Sequence, residues 1–262
     1  VPEILEAEVA RCLIEAAALD RPIQDVHAPD PWFLKGGCTP AAVREALVGR
    51  RCTRARRRGK LLCCDTDRGG PTLGLHLGMS GRVIVDGTAA GDPLRYAPNG
   101  EDPAWVRFGL RFADGGHLVL RDPRRLGAVR LDPDEDRLGI DAFSLRLGDL
   151  RPLLRASRAP VKAVLLDQSR IAGLGNLLVD EVLFRAGVDP ARPARTLDPA
   201  EQRRVARAVS DTLRILGRRG GSHTGDHIEA RRPGGRCPRD GAELVRRTIA
   251  GRTTYACPVH QR

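Results

Sequence analysis

Aromatic side chains make up only 3% of these 262 residues, with two tryptophans and two tyrosines, and methionine occurs once. So sparse a set excludes a surface that stacks base after base along a single strand. No apolar run approaches the roughly 18–20 residues a membrane span needs, and the start of the chain lacks the basic-then-apolar pattern of a secretory signal. Cysteine numbers seven, an odd count without a disulfide-like framework, which fits a reducing compartment. The expectation is a soluble, cytoplasmic chain without a membrane partner, long enough for two domains.

Arginine is what the sequence has in excess. Lys plus Arg number 44 against 33 Asp plus Glu, for a formal charge of +11 and a pI near 10.1. A phosphate-rich partner is the natural inference, because the guanidinium fork pairs with phosphate oxygens. An arginine-rich proteome gives the same balance without functional demand, so the charge does not decide the matter alone.

The chain opens Val1-Pro2-Glu3-Ile4-Leu5-Glu6-Ala7-Glu8. From Glu3 onward Leu5, Val9, Cys12, Leu13 and Ala16 recur at helical spacing, which predicts a helix with Pro2 at its start. A valine in first position reads as a non-standard start codon rendered literally, and its removal would make Pro2 the amino terminus. An N-terminal proline is a secondary amine able to attack a sugar carbon and pass to an iminium; an internal one is an inert amide. The positive end of the helix dipole disfavours protonating that amine, and Glu3 is adjacent for general acid/base work. Read blandly, the same residues are good helix-start chemistry.

Further along, Pro22 to Pro31 is turn-rich and Pro40 to Val48 reads as a short helix. A basic run over 51–60 ends in Gly59-Lys60. Short apolar or alternating stretches then follow, Leu61 to Cys64, Thr72 to Leu77, Arg82 to Asp86, Trp105 to Phe112, Gly116 to Arg121 and Ala128 to Leu131. Their spacing predicts an antiparallel sandwich or barrel, with 87–104 as a long mobile loop. Two connections carry more than turn chemistry. His76-Leu77-Gly78-Met79-Ser80-Gly81 holds the single methionine, and Asp122-Pro123-Arg124-Arg125-Leu126-Gly127 puts two arginines in a tight turn. Met79 and an arginine at loop tips suit wedges pushed into a base stack, although Met79 also suits a gap in a core.

Beyond residue 150 the pattern turns helical, over Ala159 to Gln168, Asn176 to Ala186 and Asp198 to Leu216. Gly173-Leu174-Gly175-Asn176 between the first two predicts a helix start capped by Asn176, whose free N–H groups form an anion site. The last segment pairs Cys237 and Asp240 with Cys257 and His260 across sixteen residues. These knuckles flank a predicted hairpin, Glu243 to Thr248 and Arg252 to Ala256, in the manner of a zinc ribbon, with Asp240 the unusual ligand. A metal-free hairpin is the other reading. The predicted fold is α+β. Residues 1–135 form an N-terminal antiparallel β-sandwich flanked by helices and 136–150 a linker. Residues 151–218 form a helix-two-turn-helix domain and 219–262 a zinc-finger-like hairpin.

In this order the motifs resemble the formamidopyrimidine-DNA glycosylase and endonuclease VIII family of base-excision-repair enzymes, and the resemblance spans essentially the whole chain. It implies a bifunctional DNA glycosylase and AP lyase, a monomer acting on double-stranded DNA with damaged bases or abasic sites in the nucleoid. Pro2, Glu3, Glu6 and Lys60 match the catalytic positions. His76, Asn176 and Arg252, with Lys60, match phosphate grips, while Met79, Arg124 and Leu126 match the residues that fill the space left by a flipped base. Cys237, Asp240, Cys257 and His260 match the ligands of one structural zinc. Departures are Leu5 for a second proline, Leu126 for phenylalanine, and Asp240 and His260 for two cysteines. Only sixteen residues separate Gly220 from Cys237, short for a loop that caps an oxidised purine, which favours oxidised pyrimidines or abasic sites. The competing function is a family member without catalysis that binds damaged or distorted DNA, and a helix-turn-helix regulator is a distant third.

Overall fold

The computed structural model describes residues 2–92 and 102–262. The chain divides into two compact units, Val1–Glu135 and Asp136–Arg262.

The first unit is a sandwich. Helices α1 (Ile4–Ala17) and α2 (Pro40–Leu47) flank strands β1 (Ile23–His27), β2 (Cys52–Arg58), β3 (Leu61–Thr66), β4 (Leu73–His76), β5 (Arg82–Val85), β6 (Thr88–Ala89), β7 (Val106–Phe112), β8 (His117–Arg121) and β9 (Ala128–Leu131). Among the described residues these strands make two antiparallel sheets, ordered β1-β7-β8-β5-β6 and β2-β3-β4-β9. Leu62, Cys64, Leu73 and Leu75 from one sheet meet Val83, Phe108, Leu110 and Phe112 from the other in a single core, which Ala10 and Ile14 of α1 and Val43 and Leu47 of α2 complete. Thr39 caps α2 by accepting from the Ala42 N–H at 3.1 Å, with Pro40 in the first turn, where its missing donor costs nothing.

Two sequence expectations for this unit are corrected, and the basic run is given an element. The turn-rich stretch from Pro22 contains β1, whose Ile23 and Val26 are buried while His27 faces solvent. The basic run is β2, an edge strand with buried Cys52 and Ala55, exposed Arg54 and half-buried Arg56, Arg57 and Arg58. Charge on an edge deters pairing with another chain. Of the expected 87–104 loop, 88–89 form β6 and Pro103–Trp105 a single 3-10 turn; residues 93–101 lie outside the described residues.

The second unit is mainly helical. It contains β10 (Ile140–Asp141) paired in parallel with β11 (Ile171–Ala172), helices α3 (Leu147–Arg155), α4 (Val161–Leu166), α5 (Asn176–Ala186) and α6 (Pro199–Arg218), and the hairpin β12 (Val245–Ile249) and β13 (Arg252–Ala256). Residues 147–150 of the expected linker are the first turn of α3, which buries Leu150 and Leu154 despite Pro152 inside it. Asp198 opens α6 by accepting from the Ala200 and Glu201 N–H groups while Glu201 accepts from Asp198, a reciprocal cap that ends two orphan donors. Helix α5 is apolar nearly all round and correspondingly buried. Ala250 and Gly251, both at positive φ, make the tight turn of the hairpin.

Candidate active site and nucleic-acid interface

Pro2 does not occupy the first helical turn as its sequence suggests; Glu3 is the N-cap of α1 and Pro2 stands just outside it. Both are buried, Glu3 completely. The Glu6 carboxylate accepts the Glu3 backbone N–H at 2.7 Å, half of a capping box that fixes the entry of the chain. Ile4, Leu5, Ala7, Ala10 and Ile14 seat the helix, and Leu5 is part of that buried face. One turn on, Glu8 accepts from Arg57 of β2 at 2.8 Å, and Arg57 also donates to the Gly59 carbonyl at 2.8 Å. That side chain ties α1 to the β2–β3 turn, where Gly59 at φ +58° precedes Lys60.

Register places the next residues. Leu61 of β3 pairs with His76 of β4, which pairs in turn with Ala128 of β9, so Lys60 and His76 approach the same end of the sheet. His76 is half-buried; burial, with Lys60 and Arg130 nearby, lowers its imidazole below the ordinary range. Its Nδ1 accepts the Gly78 N–H at 3.1 Å, which leaves the proton of the neutral ring on Nε2.

The methionine loop and the arginine turn interlock. A Cβ on Gly78 would fall 2.3 Å from the Leu126 carbonyl carbon and 2.4 Å from the Gly127 nitrogen, so only glycine permits this approach. Asp122, fully buried, gathers the turn: Oδ2 accepts from Leu126 N at 2.8 Å and Gly127 N at 2.7 Å, while Oδ1 accepts from Arg124 N at 3.2 Å and from the Ser80 hydroxyl. Met79 is half-buried; Arg124 and Leu126 are exposed. Arg125 takes a left-handed backbone at φ +56°, and its guanidinium makes two 2.7 Å bonds to Asp30. Arg125 pulls the Asp30 carboxyl below its usual range, against the effect of burial. Asp122, Asp30 and Arg57 have no recognisable role in the sequence. Asp122 alone leaves a trace, as the residue before Pro123 in a turn.

In the second unit, Gly175 rather than Asn176 is the N-cap of α5. Asn176 is the first helical residue, and its Nδ2 donates to the Thr253 carbonyl of β13 at 3.1 Å. The same strand is held from below by Lys162, fully buried, whose Nζ reaches Asp180 Oδ1 at 2.6 Å and Thr254 Oγ1 at 2.7 Å. Arg231 bonds the other Asp180 oxygen at 2.7 and 3.0 Å. Arg252, exposed, leaves the hairpin turn beside these contacts.

Cys237, Asp240, Cys257 and His260 converge, their donor atoms all within 4.8 Å of one another. Cys237 Sγ is 3.4 Å from His260 Nδ1, Cys257 Sγ is 3.2 Å from Asp240 Oδ2, and His260 Nδ1 is 3.2 Å from Asp240 Oδ2. Ligands at about 2.0–2.3 Å around a tetrahedral zinc are separated by roughly 3.3–3.8 Å, so these edges fit such an ion. The surroundings fit too. His260 Nε2 lies 3.2 Å from the Phe184 carbonyl, which assigns the proton there and frees Nδ1 as a ligand. Cys237 and Cys257 each accept a backbone N–H, from Arg239 and Val259 at 3.4 Å, which orients both sulfurs. Asp240 Oδ1 accepts the Ala242 N–H at 2.9 Å, which orients the carboxylate.

A sandwich whose first helix begins at a buried Pro-Glu pair, followed by a helical unit with a cysteine-bearing hairpin, defines the helix-two-turn-helix DNA glycosylases. Residues 1–129 match the formamidopyrimidine-DNA glycosylase N-terminal domain and residues 132–226 the formamidopyrimidine-DNA glycosylase H2TH domain. Formamidopyrimidine-DNA glycosylase of Cereibacter sphaeroides (strain ATCC 17025) is 35% identical, covering all of both chains. That of Gluconobacter oxydans (strain 621H) is 36% identical over 85% of this chain and 87% of its own length. The wild-type Lactococcus lactis Fpg, solved in complex with an oxidized-pyrimidine-containing DNA, superposes with a TM-score of 0.82 at 26% identity over both full chains. The chain belongs to the formamidopyrimidine-DNA glycosylase family, whose members are DNA glycosylases with AP lyase activity. Among the described residues no helix is long and apolar enough to cross a membrane.

Proposed function

We propose that this chain removes oxidised bases from duplex DNA through a Schiff base on Pro2 and cuts the resulting abasic site by β- then δ-elimination. The observation that carries the reading is the buried Pro2-Glu3 pair at the head of α1, latched by Glu6. The chemistry requires a free Pro2 amine, hence a working protein whose first residue is that proline. The amine attacks C1′ of the flipped nucleotide, Glu3 protonates the opening sugar oxygen, and the base departs to leave an iminium. Lys60, His76, Asn176 and Arg252 grip phosphates, while Met79, Arg124 and Leu126 occupy the gap in the stack. Cys237, Asp240, Cys257 and His260 hold one structural zinc, which fixes the hairpin that carries Arg252.

Oxidised pyrimidines and abasic sites are the favoured substrates in this reading. The segment after α6 is short and tied down: Glu181 accepts the Asp226 and His227 N–H groups at 3.2 and 2.9 Å, and Arg231 is bound to Asp180. Little chain is left over to fold across a purine. The deciding experiment is borohydride trapping on an abasic duplex with protein whose Pro2 terminus is verified by mass spectrometry. A covalent complex absent from Pro2→Gly is expected; no crosslink and no strand cleavage would leave only a DNA-binding protein. Incision of thymine glycol, dihydrouracil and 8-oxoguanine duplexes ranks the substrates.

A further inference from the structure

Trp32 is the large apolar side chain most exposed among the described residues, at 67%, in a chain with only two tryptophans. It sits on the 3-10 turn Pro31–Phe33, and that turn is buttoned to the arginine turn on several sides. Asp30 binds Arg125 twice at 2.7 Å, and Lys35 N donates to the Val129 carbonyl at 2.9 Å. Phe33 is fully buried against Gly127, where a Cβ would lie 2.7 Å from its ring. One residue before each partner of that contact stand Trp32 and Leu126, both exposed. Lys35 Nζ lies 3.9 Å from the indole centroid and donates to the Trp32 carbonyl at 2.7 Å, so a cation holds the ring in place and adds positive charge beside it.

Leu126 has no π face, and a base left unstacked beside it would find no aromatic partner on its own turn. We propose that Trp32 supplies that surface, stacking on a nucleobase of the duplex next to the space opened by base flipping, with Lys35 meeting a neighbouring phosphate. Stacking of this kind is strong and tolerant of base identity. Trp32 is therefore a binding and specificity residue acting from a second loop. The inference rests on the DNA-glycosylase reading but not on the chemistry of Pro2.

The test is binding of a duplex with a non-cleavable abasic analogue and of the matched undamaged duplex, which needs no free amine and so stays readable if trapping fails. Trp32→Ala should weaken the abasic duplex by roughly 10-fold or more and the undamaged duplex little. Trp32→Phe should keep most of the affinity, and Leu126→Phe should restore part of it to Trp32→Ala. In a Trp105→Phe background the remaining indole fluorescence should be quenched on binding the abasic duplex. Equal losses on both duplexes, no loss at all, or a wild-type protein that does not tell the two apart would overturn the proposal.

Discussion

The ammonium of Lys162 is fully buried and lies 2.6 Å from one oxygen of Asp180, itself 1% exposed. The other oxygen belongs to Arg231, so one carboxylate from α5 is shared by two cations under the hairpin. Removing one partner of a buried pair strands the rest without solvent. Asp180→Ala should therefore cost about 3–5 kcal/mol in the second unit, and more than Lys162→Met, which leaves the Arg231 pair intact. Urea unfolding of the two variants measures the difference, and a smaller cost for Asp180→Ala would contradict it.

Glu6 holds the Glu3 N–H from inside the first turn. Glu6→Ala should lower stability by about 1 kcal/mol, as loss of a cap does, and slow borohydride trapping because the Glu3 backbone is no longer fixed. Glu6→Gln keeps an acceptor and should retain most of both. Thermal melts and trapping rates read the two effects separately.

Asp122 uses both oxygens on the arginine turn. An amide in its place turns one acceptor into a donor facing N–H groups, so Asp122→Asn should destabilise by about 1–3 kcal/mol. Preference for abasic over undamaged duplex should fall with it, in side-by-side binding isotherms. An Asn variant of undiminished selectivity would show that the turn keeps its shape without the carboxylate.

The hairpin ligands predict one zinc per chain by native mass spectrometry. His260→Ala and Cys257→Ala should each lose the ion, and chelation should release the hairpin and weaken DNA binding. Asp240→Cys, closer to the usual structural donor set, should hold zinc more tightly. Intact binding of DNA after complete metal removal would argue for the hairpin standing unaided.

His227 is buried against Phe184 with centroids 4.7 Å apart, and neither ring nitrogen has a hydrogen-bond partner among the described residues. Burial, with Arg231 nearby, lowers its imidazole from 6.5 to about 4. The unfolded chain takes up the proton at the higher value, so stability should fall as pH drops from about 6.5 to about 4. His227→Phe should flatten that part of the curve. A pH profile of the midpoint in urea, identical for both proteins over this window, would refute the assignment.

How much of this was legible in the sequence depends on how local its cause is. Helix α5 and the hairpin could be read because glycines, caps and alternation lie within the segments themselves. Helix α3 could not, since Pro152 and its polar residues mask two buried leucines. Strand β2 was hidden by the charge that protects it. The site divides in the same way: Pro2, Met79 and Arg124 stand in short motifs, whereas Asp30 meets Arg125 across 95 residues and only folding pairs them. Asn176 has cap chemistry in its sequence but is the first helical residue, and its side chain serves β13 instead of its own helix.

The glycine at 78 presses directly on the backbone of Leu126 and Gly127, so the two loop tips cannot drift independently. A lineage that alters the reach of one must re-cut the other in the same step. The two loops are thus a joined pair, and grafting either one alone into a relative should yield a misfit.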